Sequence, residues 1–207
     1  MEFNSETERK ILEAARTVFL KKGHDGARMQ EIADLAGINK ALLHYYFRSK
    51  EKLFRTIFRQ EIFLMLDNIF SSISDSDTFY TFTQKFVHEY LKNISPRRNV
   101  MRFILWELEN SADELASWFF EAFQKRGFSG NPVILRVEKA IKDGEIRAVD
   151  PQNFVLNLLG MSVFPFVAAP LLKYIIPGFD LSRPTYLEER EKAILDLIWQ
   201  GIKKESQ

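Results

Sequence analysis

The chain has no cysteine among its 207 residues. This excludes a disulfide framework, a thiolate zinc site and a cysteine nucleophile, and it leaves the redox compartment open. Histidine is nearly absent too, with three residues, His24, His44 and His88. No phosphate-cradling glycine loop, nucleophile elbow or paired metal-ligand spacing occurs. An enzyme is therefore not expected, and no catalytic residue, metal site or cofactor is assigned. Glycine and proline are sparse, 9 and 7 residues, which speaks against a long disordered tract. The opening segment MEFNSETERK lacks a basic-then-apolar signal pattern. Long hydrophobic runs are also missing. The longest apolar stretch, Phe154 to Ile176, is interrupted by Asn157, Pro165, Pro170 and Lys173. It reads as a buried helix or helix pair rather than a membrane span, with the two prolines kinking or breaking it. These features predict a cytoplasmic protein with no membrane partner.

What is present suits one or two globular domains with a sizeable core, since 46% of residues are hydrophobic and 28% charged. The net charge of +1 hides an asymmetry. Residues 1–60 carry 12 Lys+Arg against 8 Asp+Glu, while the rest carries 17 against 20. A basic head on a mildly acidic body fits a nucleic-acid-binding head joined to a body with another task. Strand signals are nearly absent, and apolar residues recur at spacings of three and four, so the chain reads as all-α. Ser5-x-x-Glu8 forms a capping box for a first helix, ended by Gly23. Ser49 caps a long fourth helix. Ser95-Pro96, Ser111, Asn131-Pro132 and Asp150-Pro151 open later ones. A last helix spans about Thr185 to Lys204.

The segment Met29 to Arg48, MQEIADLAGINKALLHYYFR, reads as a helix-turn-helix. Ile32, Ala33 and Ala36 recur at helical spacing before Gly37, which can adopt the left-handed conformation that ends a helix. Asn39 is a good N-cap for the next helix, whose inner face carries Ile38 and Leu43. Lys40, Ala41, Leu42, His44 and Tyr45 are left over. In such a motif the second helix lies in the DNA major groove.

Phe19 to Phe54, FLKKGHDGARMQEIADLAGINKALLHYYFRSKEKLF, resembles the tetracycline-repressor (TetR) family of bacterial transcription regulators. The run Tyr45-Tyr46-Phe47-x-Ser49-Lys50-Glu51-x-Leu53 is the most specific part. Asp143-Gly144-Glu145-Ile146-Arg147 followed by Asp150-Pro151 is similar to a common lead-in to that family's eighth helix. The resemblance implies a three-helix DNA-binding domain over residues 1–48 and a larger helical ligand-binding and dimerisation domain over 49–207. It implies a homodimer, two recognition helices in successive major grooves of double-stranded DNA, and release by a small effector bound in the body.

Carried over residue by residue, the resemblance implies DNA contacts from Arg28, Gln30, Asn39, Lys40, Ala41, Leu42, His44, Tyr46 and Lys50. Lys40 could reach a guanine edge or a phosphate. Ala41 and Leu42 stand where the family often has Gly and Thr. Leu42 cannot hydrogen-bond a base, so apolar contact with a thymine methyl is expected; the alternative is packing against the first helix. His44 and Tyr46 are candidate phosphate ligands, while Tyr45 is expected to pack. Lys50 opens the fourth helix, where amides and a cation can jointly hold a phosphate. Ala27 replaces the usual Thr that starts the second helix, and Asp25 is the candidate substitute for that oxygen.

Fourteen aromatic residues lie between Phe63 and Phe128. A packed core accounts for each singly. As a set they also suit an apolar cavity for a hydrophobic or aromatic effector, with Phe86, Tyr90, Phe103, Trp106, Trp118, Phe120 and Phe123 as candidate lining. The Phe154 to Ile175 segment is apolar on nearly all sides and needs covering on more than one face. A symmetric pairing would supply that, with Phe154, Leu158, Phe164, Leu195 and Trp199 as candidate contacts. The leading reading is a ligand-responsive repressor on a near-palindromic operator. The alternative is a helical ligand-binding or interaction protein with weakened DNA binding.

Overall fold

Asn39, Thr78, Asn131 and Asp150 each accept a hydrogen bond from a backbone amide in the turn that follows, and each opens a helix. These side chains satisfy amides that a helix start leaves without a partner. The computed structural model describes residues 6–203, and among these it contains helices but no strand. In chain order they are α1 (Glu6–Gly26), α2 (Met29–Leu35), α3 (Lys40–Tyr46), α4 (Lys50–Ser71), α5 (Phe79–Ile94) and α6 (Arg98–Asn110). There follow α7 (Ala112–Lys125), α8 (Pro132–Lys142), α9 (Pro151–Val167), α10 (Ala169–Ile175) and α11 (Tyr186–Ile202). Ser5, half of the expected capping box, lies outside the described residues.

The helices gather into two compact units. The first takes the chain up to Leu64 together with Asn99–Asn110, and the second takes Met65–Arg98 and the chain from Ser111 onward. In the first unit, Ile11, Ala15 and Phe19 of α1, Ile32 and Ala33 of α2, Leu43 of α3 and Leu53 and Phe58 of α4 are all fully buried. Phe103 of α6 joins them, its ring 4.7 Å from that of Phe58 and 5.3 Å from that of Phe54. Two carboxylates lie within this core, Glu61 at 2% and Glu107 at 0% exposure. Burying a lone carboxylate costs several kcal/mol, so each needs a cation. Arg16 Nε donates to Glu61, and Arg55 Nη2 donates to Glu107 at 2.9 Å. The pairs tie α1 to α4 and α4 to α6.

In the second unit α5 packs on α9 and α11, and α8 packs on α9. Phe79, Val87, Leu158 and Ile194 form its centre. Glu145 accepts from the Phe79 amide at the start of α5 and from Arg136 Nη1 at 3.0 Å. Burial opposes the charged form of Glu145, but the amide and the guanidinium outweigh it and hold its carboxyl below the ordinary 4.5. Arg147 caps the other end of the unit, its amide bonding Ile202 O at 3.0 Å and its Nε bonding Gly201 O at 2.6 Å.

Several boundaries differ from the sequence expectation. Gly23 does turn the chain, with φ 70° and ψ −175°, but helix resumes as far as Gly26. Pro96 does not open α6. It lies in the turn after α5, and α6 starts at Arg98. Ser111 precedes α7 as expected, with its carbonyl accepting from Leu115 N at 3.1 Å, but its side chain makes no cap bond. The apolar segment is broken between Pro165 and Pro170, as expected, but not at Pro165 itself. Pro165 stays inside α9, and the 80° bend comes at Ala168, before Pro170 in the first turn of α10. A proline leaves the carbonyl four residues earlier without its amide partner. Here that carbonyl is Met161 O, and Arg190 of α11 fills the vacancy through Nη2 at 2.6 Å and Nε at 3.3 Å. Among the described residues no single helix is long and apolar enough to cross a membrane.

Candidate DNA-binding site

The turn between α2 and α3 is set by one glycine. Gly37 has φ 69°, Gly37 N bonds Asp34 O at 3.1 Å, and Ile38 N bonds Ala33 O at 3.0 Å. This is the paired closure in which a left-handed residue lets two later amides satisfy carbonyls at a helix end. Asn39 follows, and its Oδ1 accepts from Leu42 N at 2.8 Å. So α2 ends and α3 begins within four residues. Ile32, Ala33 and Leu43 are each at 0% exposure, and α2 packs on both α1 and α3.

That packing orients α3. Leu43 and Phe47 point inward, while Asn39, Lys40, Ala41, Leu42 and His44 are exposed. Lys40 forms no ion pair among the described residues. Leu42 is 36% exposed, so it is not a core residue packed away beneath α1. Tyr45, expected to pack, is 80% exposed, its ring edge-on to that of Tyr46 at 5.6 Å between centres. Tyr46 is half-buried. The exposed surface of α3 is thus a short strip with one cation, one imidazole, one amide, a phenol and small or apolar groups. Such a strip can lie against base edges and phosphates.

The flanks are less simple. Arg28 is exposed at the N-cap of α2 and makes no capping bond. Gln30 is exposed, with Nε2 on Asp34 Oδ1 at 2.8 Å. Ala27 is 3% exposed and fills core space. Asp25 does not replace the missing cap oxygen, because its carboxylate bonds His24 Nδ1 at 3.0 Å. Lys50 is the larger surprise. Its Nζ is spent on the carbonyls of His24 at 2.9 Å and Ala27 at 3.4 Å. It holds the tail of α1 to the start of α4. Ser49 caps α4 as expected, its Oγ accepting from Lys52 N at 3.1 Å.

The candidate effector residues are divided between the two units. Phe86, Tyr90, Trp118, Phe120 and Phe123 belong to the second unit, whereas Phe103 and Trp106 belong to the first. Phe86 is buried and stacked between Phe82 and Tyr90, with ring centres at 6.3 and 5.6 Å. Desolvation pushes the Tyr90 phenol above its ordinary 10. Trp118 is buried, Phe123 half-buried with its ring 6.1 Å from that of Phe70, and Phe120 exposed.

The candidate dimer residues divide as well. Phe154, Leu158 and Leu195 are buried within the chain's own core. Trp199 is half-buried, edge-on to Tyr80 at 4.9 Å. Phe164 is 56% exposed, and Leu156 of α9 and Leu197 of α11 are exposed too, both at 67%. The residues sequence reasoning missed are those whose partners are remote in the chain. Glu61 and Glu107 carry a weak signal, a charge inside an apolar stripe, but their partners carry none.

Residues 11–57 match the bacterial regulatory proteins of the tetR family. The transcriptional regulator RutR of Escherichia coli is 25% identical over 207 aligned residues, covering 93% of this chain and 89% of that protein. The transcriptional repressor SCO4008 of Streptomyces coelicolor is 25% identical over 198, covering 93% and 95%. The fold is shared with the Bacillus subtilis transcriptional regulator FadR, solved in complex with stearoyl-CoA. The TM-score is 0.66 at 18% identity, over 93% of this chain and 98% of that one.

Proposed function

Because the chain belongs to the tetR family of bacterial regulatory proteins and is a DNA-binding transcriptional regulator, we propose that it is a ligand-responsive repressor. It acts as a homodimer on a near-palindromic operator in the cytoplasm, where the DNA is. The observation that carries this reading is α3, a helix packed on α2 with Leu43 buried while Asn39 to Leu42 and His44 stand exposed. We assign the DNA contacts to Asn39, Lys40, Ala41, Leu42 and His44, with Arg28, Gln30, Tyr46 and Lys50 on the flanks. The division of labour falls at residue 48, DNA reading before it and effector binding and dimerisation after it.

The dimer is supported by an exposed stripe on α9, Asn153, Leu156, Asn157, Gly160, Phe164 and Val167, at helical spacing. Ala193, Leu197 and Gly201 form a matching exposed line on α11. Apolar and small groups at such spacing fit burial against a second copy. Two recognition helices would then stand about 34–36 Å apart, one turn of DNA. The aromatic set Phe86, Tyr90, Trp118, Phe120 and Phe123 suits a hydrophobic or aromatic effector, and FadR, of the same fold, was solved with stearoyl-CoA. The sign of regulation follows SCO4008, a repressor.

Selection from a random double-stranded DNA pool tests the reading. An enriched near-palindrome bound by two chains is the expected result. Recovery of no enriched sequence at low salt, from a folded dimer, leaves the alternative of a helical ligand-binding protein.

A further inference from the structure

The tail of α1, the start of α4 and one face of α6 enclose a cleft of about 520 Å³, entirely within the first unit. This is within the size range of small-molecule sites. Its wall from α6 is a single helical stripe. Asn99, Arg102, Phe103 and Trp106 follow one another at three, four and seven residues. Phe54 of α4 closes the aromatic side, 5.3 Å from Phe103 and 4.8 Å from the His24 ring. Trp106 has 42% of its surface exposed, a large apolar face without a complete cover.

The polar groups around the cleft are mostly committed. Lys22 Nζ is held by both carboxylate oxygens of Glu31, at 2.7 and 2.8 Å. His24 is held between Asp25 at 3.0 Å and Glu51 at 3.3 Å. Asn99 Nδ2 bonds Leu20 O at 2.6 Å. Arg102 differs: it is exposed and has no ion pair among the described residues. A planar guanidinium with free donors recognises a carboxylate bidentately. One turn along the same helix, the Trp106 indole offers a flat apolar face.

We propose that this cleft binds a small aromatic carboxylate, its ring against Trp106, Phe103 and Phe54 and its carboxylate on Arg102. Every residue that lines the cleft belongs to the first unit. A ligand here touches the α1 tail that Lys50 fastens to α4, next to the DNA-reading helices.

Calorimetry on the full chain with 2-naphthoate, 2-naphthamide and decanoate tests the site without DNA. Its outcome is therefore separate from that of operator selection. The expected result is one 2-naphthoate per cleft, with a dissociation constant below about 1 mM, and binding of 2-naphthamide and decanoate at least about tenfold weaker. Arg102→Gln, at an exposed position that keeps the fold, should weaken 2-naphthoate about tenfold and leave 2-naphthamide unchanged. Trp106→Ala should weaken both aromatic probes. Equal affinity of wild type and R102Q for 2-naphthoate overturns the proposal, because binding then lies elsewhere. So does equal affinity for the acid and the amide, tighter binding of decanoate, or no saturable binding of 2-naphthoate.

Discussion

Lys50 Nζ donates to the carbonyl of His24 at 2.9 Å. The ammonium thus sits at the C-terminal end of α1, where orphan carbonyls and the negative end of the helix dipole both favour a cation. Removing it leaves two carbonyls, His24 and Ala27, without that donor. Lys50→Ala is expected to lower stability by about 1–2 kcal/mol and to weaken DNA binding. Thermal melting reads the first effect. The salt dependence of DNA affinity reads any phosphate contact, whose loss lowers the slope by about 0.9. An unchanged melting temperature would contradict the clasp.

Gly37 offers a cleaner backbone test. A Cβ added there meets nothing within 4 Å, so crowding is not the issue. The cost comes from φ 69°. Gly37→Ala should destabilise by about 1 kcal/mol, and Gly37→Asn by less, since Asn tolerates the left-handed region. A melting series of the three proteins gives the order.

Lys40 and Leu42 should behave differently on DNA. If Lys40 contacts a phosphate, Lys40→Ala weakens all sequences about equally and lowers the salt slope by about 1. If it reads a guanine, the slope holds and selectivity at one base pair relaxes. Leu42→Ala should reduce preference at a thymine position and leave the slope unchanged. Binding arrays at two salt concentrations separate these outcomes.

The exposed stripe predicts the oligomeric state. Leu197 is 67% exposed and Phe164 56%, so Leu197→Glu or Phe164→Glu should not damage the core. Either should shift sedimentation from dimer to monomer while the helical content is kept. A monomeric wild type would remove the basis for the paired recognition helices.

Acid stability should depend on Glu145. Its carboxyl is held below 4.5 because the Phe79 amide and Arg136 outweigh the burial that opposes ionisation. A depressed carboxylate contributes stability above its unfolded pKa, and that contribution is lost as pH falls through the lower folded value. Asp77 is lowered in the same direction, first by the Ser74 amide and then by Lys85. Denaturant melts should show Glu145→Gln less stable than wild type at pH 7, with the difference closing below pH 4.5 and towards zero at lower pH. A constant difference over that range would contradict the assignment.

Much of this was legible locally. Asn39, Asn131-Pro132 and Asp150-Pro151 announce helix starts because a cap acts within three residues of itself. The α2–α3 turn is equally local, since Gly37 supplies its own conformation. The inward face of α3 follows from periodicity alone. Pro96 misled because a proline is compatible with a turn as well as with a first helical turn. Aromatic content does not say which unit a helix joins: α6, with Phe103 and Trp106, belongs with the DNA-reading helices.

By itself, then, the sequence determined the all-helical character, the helix-turn-helix and the residues that the reading helix presents. Each of these depends on contacts within about one or two helical turns. Only the tertiary structure decided that Lys50 clasps the α1 tail, that Arg190 fills the Met161 carbonyl left by Pro165, and that Glu61 and Glu107 meet arginines in the core. It also decided which apolar residues of α9 and α11 stay uncovered. Those outcomes depend on partners 23 to 52 residues away in the chain, and the periodicity of a single helix carries no information about a partner on another.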